Sequence, residues 1–209
     1  DVTKLRASDG VLQGTFAVGT NPRGVAFDGA NIWVTNFGSN DVTKLRASDG
    51  VLQGTFTAGT SPWGIAFDGA NIWVANQSSN NVTKLRASDG VLQGTFATGS
   101  TPSRVAFDGT NIWVANNTGS NVTKLRASDG VLQGTFAVGS GPSGVAFDGA
   151  NIWVTNYSSN DVTKLRAIDG VLLGTFTVGA NPIGFAFDGA NIWVSNSGSN
   201  NVTKLPVFP

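Results

Sequence analysis

The 209-residue chain contains no glutamate, histidine, cysteine or methionine, and all thirteen of its acidic residues are aspartate. Without cysteine there are no disulfides and no thiolate ligands. Without histidine there is no side chain that titrates near neutrality and no imidazole for a metal. Lysine and arginine balance aspartate at a formal net charge of zero, so the chain lacks the basic excess that binds nucleic acid or an anionic membrane. It has no apolar run near the roughly 18 residues of a membrane helix. No metal, cofactor, nucleic acid or membrane partner is expected from this composition.

What the chain does have is a repeat. Pro22, Pro62, Pro102, Pro142 and Pro182 recur every 40 residues, as do Trp33, Trp73, Trp113, Trp153 and Trp193. A single domain is expected over 1–209, with repeats starting at 1, 41, 81, 121 and 161 and a terminal strand at 201–209. Each unit carries four short apolar runs, at 25–27, 32–34, 42–45 and 51–56 in the first full set. Asp28-Gly29-Ala30-Asn31 and Ser48-Asp49-Gly50 are turn sequences joining these runs as hairpins. Pro62 and its equivalents are placed between units, where a missing backbone donor does no harm. Four antiparallel strands per 40 residues make a propeller blade. The expected fold is therefore all-β, a five-bladed β-propeller of four-stranded antiparallel blades closed by pairing of the N- and C-terminal strands.

The segments GVAFDGANIWVTN, VTKLRASDG and VLQGTF resemble the blades of bacterial propellers of the YVTN, NHL and streptogramin (virginiamycin B) lyase type, across the whole chain. WVTN at 33–36 and 153–156 is close to the tetrapeptide that names the first group. The resemblance implies that the strand at 25–27 is innermost and that at 51–56 outermost. It also implies a secreted or cell-surface bacterial protein. The lyase depends on a catalytic histidine with a metal ion, and lactonase-type relatives use a glutamate ligand. This chain offers neither residue, so catalysis of either kind is not expected.

Trp33, Ile32, Phe27, Phe16 and their repeats are expected to pack between blades. The turn aspartates are read as accepting local backbone hydrogen bonds, and Asn36 with its copies as capping a loop. Lys4, Lys44 and their copies are read as solvated.

Counting strands leaves one surplus, because VTKL occurs six times and the other strands five times. A monomer is expected, with exchange of the surplus hairpin into a homo-oligomer as the alternative.

The copies do not vary evenly. Divergence falls at 21–24, 35, 37–40, 17, 18 and 20, and strand alternation brings all of these to one face of the ring. Arg23, Phe37, Trp63, Arg104 and Tyr157 are the large substituents there, of types common at binding hot spots. They are the candidate ligand-binding residues of a non-enzymatic binding or scaffold module, its ligand a glycan, a peptide or a protein; the alternative is a structural or engineered repeat protein with no ligand, whose exposed loops have drifted.

Overall fold

The computed structural model describes residues 1–207 and is all-β, with twenty-one strands. An N-terminal hairpin, β1 (Val2–Leu5) and β2 (Leu12–Phe16), precedes four complete blades. The first blade is β3 (Pro22–Phe27), β4 (Asn31–Asn36), β5 (Asp41–Arg46) and β6 (Leu52–Thr57). The second comprises β7 (Pro62–Phe67), β8 (Asn71–Asn76), β9 (Asn81–Arg86) and β10 (Leu92–Ala97). The third runs through β11 (Pro102–Phe107), β12 (Asn111–Asn116), β13 (Asn121–Arg126) and β14 (Leu132–Ala137). The fourth holds β15 (Pro142–Phe147), β16 (Asn151–Asn156), β17 (Asp161–Arg166) and β18 (Leu172–Thr177). A three-stranded sheet ends the chain: β19 (Pro182–Phe187), β20 (Asn191–Asn196) and β21 (Asn201–Pro206).

Every sheet is an antiparallel meander. The first strand of each blade lies beside the first strand of the next, β3 by β7, β7 by β11, β11 by β15 and β15 by β19, so these strands line the axis. The strands run beyond the apolar runs that announce them. Pro22 and its copies are not between units but open the inner strands, pairing with the last residue of the second strand. A first strand position tolerates the missing donor.

A twisted four-stranded sheet cannot bury both of its faces alone, and the core lies between blades. Trp33 and Val42 of the first blade pack on Ile72, Val74 and Leu85 of the second, and the same set recurs at the next three junctions. Trp33, Trp73, Trp113 and Trp153 are fully buried. Each indole Nε1 donates to the aspartate of its own hairpin, Trp33 to Asp28 Oδ2 at 2.7 Å. Asp28 Oδ1 also accepts the amides of Ala30 and Asn31. A single carboxylate thus shapes the turn and aims the indole.

The lysines depart from their expected place in solvent. Lys44, Lys84, Lys124 and Lys164 are buried and reach across to the next blade. Lys44 Nζ donates to the carbonyls of Ala87 at 2.8 Å and Ser88 at 3.0 Å, and lies 5.0 Å from the Trp33 ring centroid. An ammonium is tolerated here because carbonyls and an aromatic face replace its water.

The expected closure is absent. β1–β2 and β19–β21 form separate sheets, and among the described residues no strand of one pairs with the other. The hairpin instead packs on the first blade as the outer half of a preceding one. Lys4 Nζ contacts the carbonyls of Ala47 and Ser48 just as Lys44 contacts those of Ala87 and Ser88. The blade junction repeats the same geometry at each step, and after five steps the ends have not met. Phe27 is therefore 56% exposed rather than buried against a neighbour, and Trp193 is 39% exposed where the four preceding indoles are buried.

Asp148→Ala removes the acceptor of Trp153 Nε1 and of two turn amides, and a thermal melt should show a loss of about 2–3 kcal/mol. Burial raises the Asp148 carboxyl, but the hydrogen bonds from Trp153, Ala150 and Asn151 outweigh it and hold it below its usual value; Asp28 follows suit. A depressed folded pKa contributes stability above the unfolded value of about 3.9. That stability is lost as the pH falls through the folded value. Melting temperature should therefore hold steady from neutrality to about pH 4 and drop below it.

Lys84→Met keeps the stem but strands the Ala127 and Ser128 carbonyls. It should cost about 1–3 kcal/mol in the same assay. Arg86→Ala, which breaks only the exposed pair with Asp89, should leave the melt nearly unchanged.

Candidate functional site

The candidate residues come together at one end of the axis. The second residue of each inner strand is Arg23, Trp63, Ser103, Ser143 or Ile183, and the first residue after each second strand is Phe37, Gln77, Asn117, Tyr157 or Ser197. Antiparallel pairing sets these two positions beside each other, because Pro22 pairs with Asn36 and each later blade repeats this. Two rings of side chains, one from the inner strands and one from the loops, surround the mouth.

The first three blades contribute a stacked cluster. Phe37 meets Trp63 edge-on, with ring centroids 5.6 Å apart. The Arg23 guanidinium lies 4.7 Å from the Trp63 centroid and 5.5 Å from that of Phe37. Arg104 approaches Trp63 at 5.7 Å. Four of the five candidates thus touch one another in a chain. Tyr157 stands across a cavity of about 450 Å³ that it lines together with Trp63, Gln77, Ser103, Arg104, Asn117, Ser143 and Ile183. That volume lies in the range of small-molecule sites. Gln77, Asn117, Ser143 and Ile183 escaped sequence reasoning, which singled out large substituents; the signal that would have found them is their position in the same two columns of the repeat.

The frame beneath these side chains is firm. Asn36 is fully buried, and its Nδ2 donates to Asp41 Oδ1 at 2.6 Å and Thr43 Oγ1 at 2.9 Å, so it caps the loop as expected. Its Oδ1 meets no protein donor, nor does that of Asn76, Asn116, Asn156 or Asn196. The loops are laced to each other by Phe37 N to Asn21 O, Gly38 N to Thr20 O and, between blades, Ser61 N to Asn40 Oδ1. The residue before each inner-strand proline has a left-handed backbone: Asn21, Ser61, Thr101, Gly141 and Asn181 have φ between 53° and 68°. Asparagine and glycine enter that region readily, but β-branched Thr101, at φ 59°, does so at a cost of about 1–3 kcal/mol.

Arg104 is the largest departure from the repeat, since the other four blades have glycine there. A Cβ on Gly24 or Gly64 would lie 2.5 Å from the carbonyl oxygen of Trp63 or Ser103 in the next blade, so a side chain in those two blades has to displace a neighbour, whereas at Gly184 the nearest atom is the Ser195 hydroxyl at 3.2 Å. Burial first, and then the charge of Arg23, push the Arg104 guanidinium below its ordinary value.

A larger groove, about 640 Å³, lies between the N-terminal hairpin and the first blade, lined by Lys4, Phe16, Val25, Phe27, Ile32 and Leu45 among others. Other junctions hold an indole between the equivalents of Lys4, Ile32 and Leu45, so this groove is an unfilled blade junction rather than a shaped ligand site. The turn aspartates at the opposite end are occupied by their own hairpins, each carboxylate accepting from an indole and two amides. Among the described residues no three acidic side chains converge on a point where they would hold an ion.

No protein-family model and no curated protein matches the chain. Solved structures do. The virginiamycin B lyase of Staphylococcus aureus superposes with a TM-score of 0.79 at 18% identity, over 99% of this chain and 77% of the lyase. A putative 6-phosphogluconolactonase from Bacteroides uniformis gives 0.79 at 16% identity, over 97% of this chain and 72% of that one. A functionally unknown protein from Desulfotomaculum acetoxidans gives 0.82 at 15% identity, over 96% and 74%. Identities this low establish shape and not activity. The chain has the β-propeller fold of the streptogramin-lyase structures, built from the repeated four-stranded blades that its sequence announces.

Proposed function

We propose that the chain is a ligand-binding module whose site is the mouth of the propeller axis, walled by Arg23, Phe37, Trp63, Arg104 and Tyr157. The observation that carries this reading is that variation among the repeats is concentrated at the mouth of the axis, although exposed positions elsewhere, Ile168 and Leu173 among them, also change. Relaxed drift alters exposed positions generally. Yet the outer strands hold Leu12, Leu52, Leu92, Leu132 and Leu172 at 58–62% exposure, unchanged in every copy. The loop column at the mouth reads Phe, Gln, Asn, Tyr and Ser, different in all five. A column of equivalent positions has become a set of unlike side chains, of which Gln77, Asn117 and Tyr157 line one cavity, which is how a symmetric scaffold acquires an asymmetric site.

Arg104 and Thr101 support the reading from the energetic side. Thr101 occupies a left-handed position just before the inner strand β11, and Arg104, on that strand and lining the cavity, stands where the other blades have glycine. Locally unfavourable residues that persist next to a pocket point to use of that pocket. Binding rather than turnover is favoured because the residues at the mouth include no histidine, glutamate or cysteine to serve as base, nucleophile or ligand. The ligand is a glycan, a peptide or a segment of a protein surface.

Titration of a glycan and peptide panel, followed by the indole Nε1 proton resonances, tests this. One ligand should shift the Trp63 resonance and leave those of Trp73 and Trp113 in place. Trp63→Ala and Tyr157→Ala should weaken that ligand at least tenfold while melting close to the parent, since both side chains are part-exposed. Leu92→Ala, on the exposed outer strand, should leave the affinity unchanged. Shifts that map to the outer strands or to the turn aspartates would contradict the proposal.

A further inference from the structure

We infer, resting on the binding site just proposed, that the ligand carries an oxyanion, a carboxylate, phosphate or sulfate on a body about the size of a sugar, held between Arg23 and Arg104 beside Trp63. The chain has seven arginines. Five of them, Arg6, Arg46, Arg86, Arg126 and Arg166, each pair with the aspartate three residues on, at 2.7–2.8 Å. Arg23 and Arg104 are the other two. Neither forms an ion pair with a carboxylate of the described residues, and they come from different blades to flank the same indole.

Two guanidinium groups gathered on one aromatic side chain repel each other, and among the described residues they meet aromatic faces but no carboxylate. The hydrogen bond given to the Arg104 guanidinium is a long one, from Nη1 to the carbonyl of the preceding Ser103 at 3.4 Å, which satisfies little of a five-donor fork. Partial burial and the nearby Arg23 charge both disfavour its charged form. The repeat shows that the arrangement is not needed for folding, because the equivalents of Arg23 are Trp, Ser, Ser and Ile and those of Arg104 are all glycine. A part-buried guanidinium, Arg104, beside an exposed one, Arg23, both with unused planar donors, matches an oxyanion, which accepts two parallel N–H bonds from each fork. The cavity that Arg104 and Trp63 line, with Arg23 stacked on Trp63 at its edge, suits a polar ring, with Trp63 and Ile183 as apolar walls and Gln77, Asn117 and Tyr157 as donors and acceptors.

Calorimetric titration of the intact chain with glucuronate, with glucose and with inorganic phosphate tests the inference, since the first two differ chiefly in a carboxylate. Glucuronate should bind at least tenfold more tightly than glucose, with an affinity that falls as salt is raised. Phosphate should raise the melting temperature. Arg104→Gln and Arg23→Gln, taken separately, should each abolish the preference for glucuronate and the phosphate effect. Without ligand each variant should melt close to the parent, because the loss of its contact with the Trp63 ring is set against relief of the repulsion between the two guanidiniums. If glucose and glucuronate bind alike and both are lost in Tyr157→Ala, the oxyanion inference is wrong and the pocket reading stands. No response to glucuronate or phosphate overturns the inference whatever else binds. The pocket reading falls with it only when glucose and the wider panel are silent too.

Discussion

The indole of Trp33 and its equivalents is the point on which the rest of the structure turns. It is buried between two blades, oriented by the aspartate of its own hairpin, and covered by a lysine whose ammonium is anchored on the carbonyls of the next blade. Three unlike interactions act on one side chain. Area burial supplies most of the stabilisation, since removing a buried tryptophan costs about 3–5 kcal/mol. The hydrogen bond and the lysine add direction, fixing how one blade sits on another. Because the unit repeats every 40 residues, that local geometry is applied again at each step, and the curvature of the whole follows from it.

The same rule accounts for the two ends. Between complete blades Phe67, Phe107 and Phe147 are half-buried; in the first blade and the last sheet, Phe27, Phe187 and Trp193 are open. The groove by the N-terminal hairpin is the space an indole fills at other junctions. Five steps of this interface leave the ends apart, so the six VTKL strands are not in competition for one place. The copy at Val2 packs outside the first blade and the copy at Val202 completes a different sheet.

Much of this was legible in the residues. Asp-Gly turns and four apolar runs in each 40 residues specified the hairpins and hence the meander, and alternation placed the variable positions on one face. What was not legible depended on contacts between blades. VTKL reads as a strand with an exposed lysine because Ala87 and Ser88, which receive Lys44, are 43 and 44 residues away. Closure was expected from strand count, but count does not contain the angle between packed sheets. Pro22 was placed outside the strand because proline breaks ladders, yet a first position has no ladder bond to lose. At the site, size and chemical type identified Arg23, Phe37, Trp63, Arg104 and Tyr157, and four of these prove to be in contact. The smaller members of the cavity were missed because a serine or an asparagine in a chain rich in both carries no signal apart from its column. That Arg23 and Arg104 have no carboxylate partner among the described residues depends on contacts between blades.

The account separates the residues that make the fold from those that make the site, and places them in different columns of the repeat. Its most direct test is a chain in which the mouth columns are made uniform, with Arg23, Trp63 and Ile183 changed to serine, Arg104 to glycine, and Phe37, Gln77, Asn117 and Tyr157 to serine, as already found at Ser103, Ser143, Gly144 and Ser197. The circular dichroism melt of this chain should remain cooperative and near that of the parent while all ligand response disappears. A chain that fails to fold, or one that folds and still binds, would contradict it.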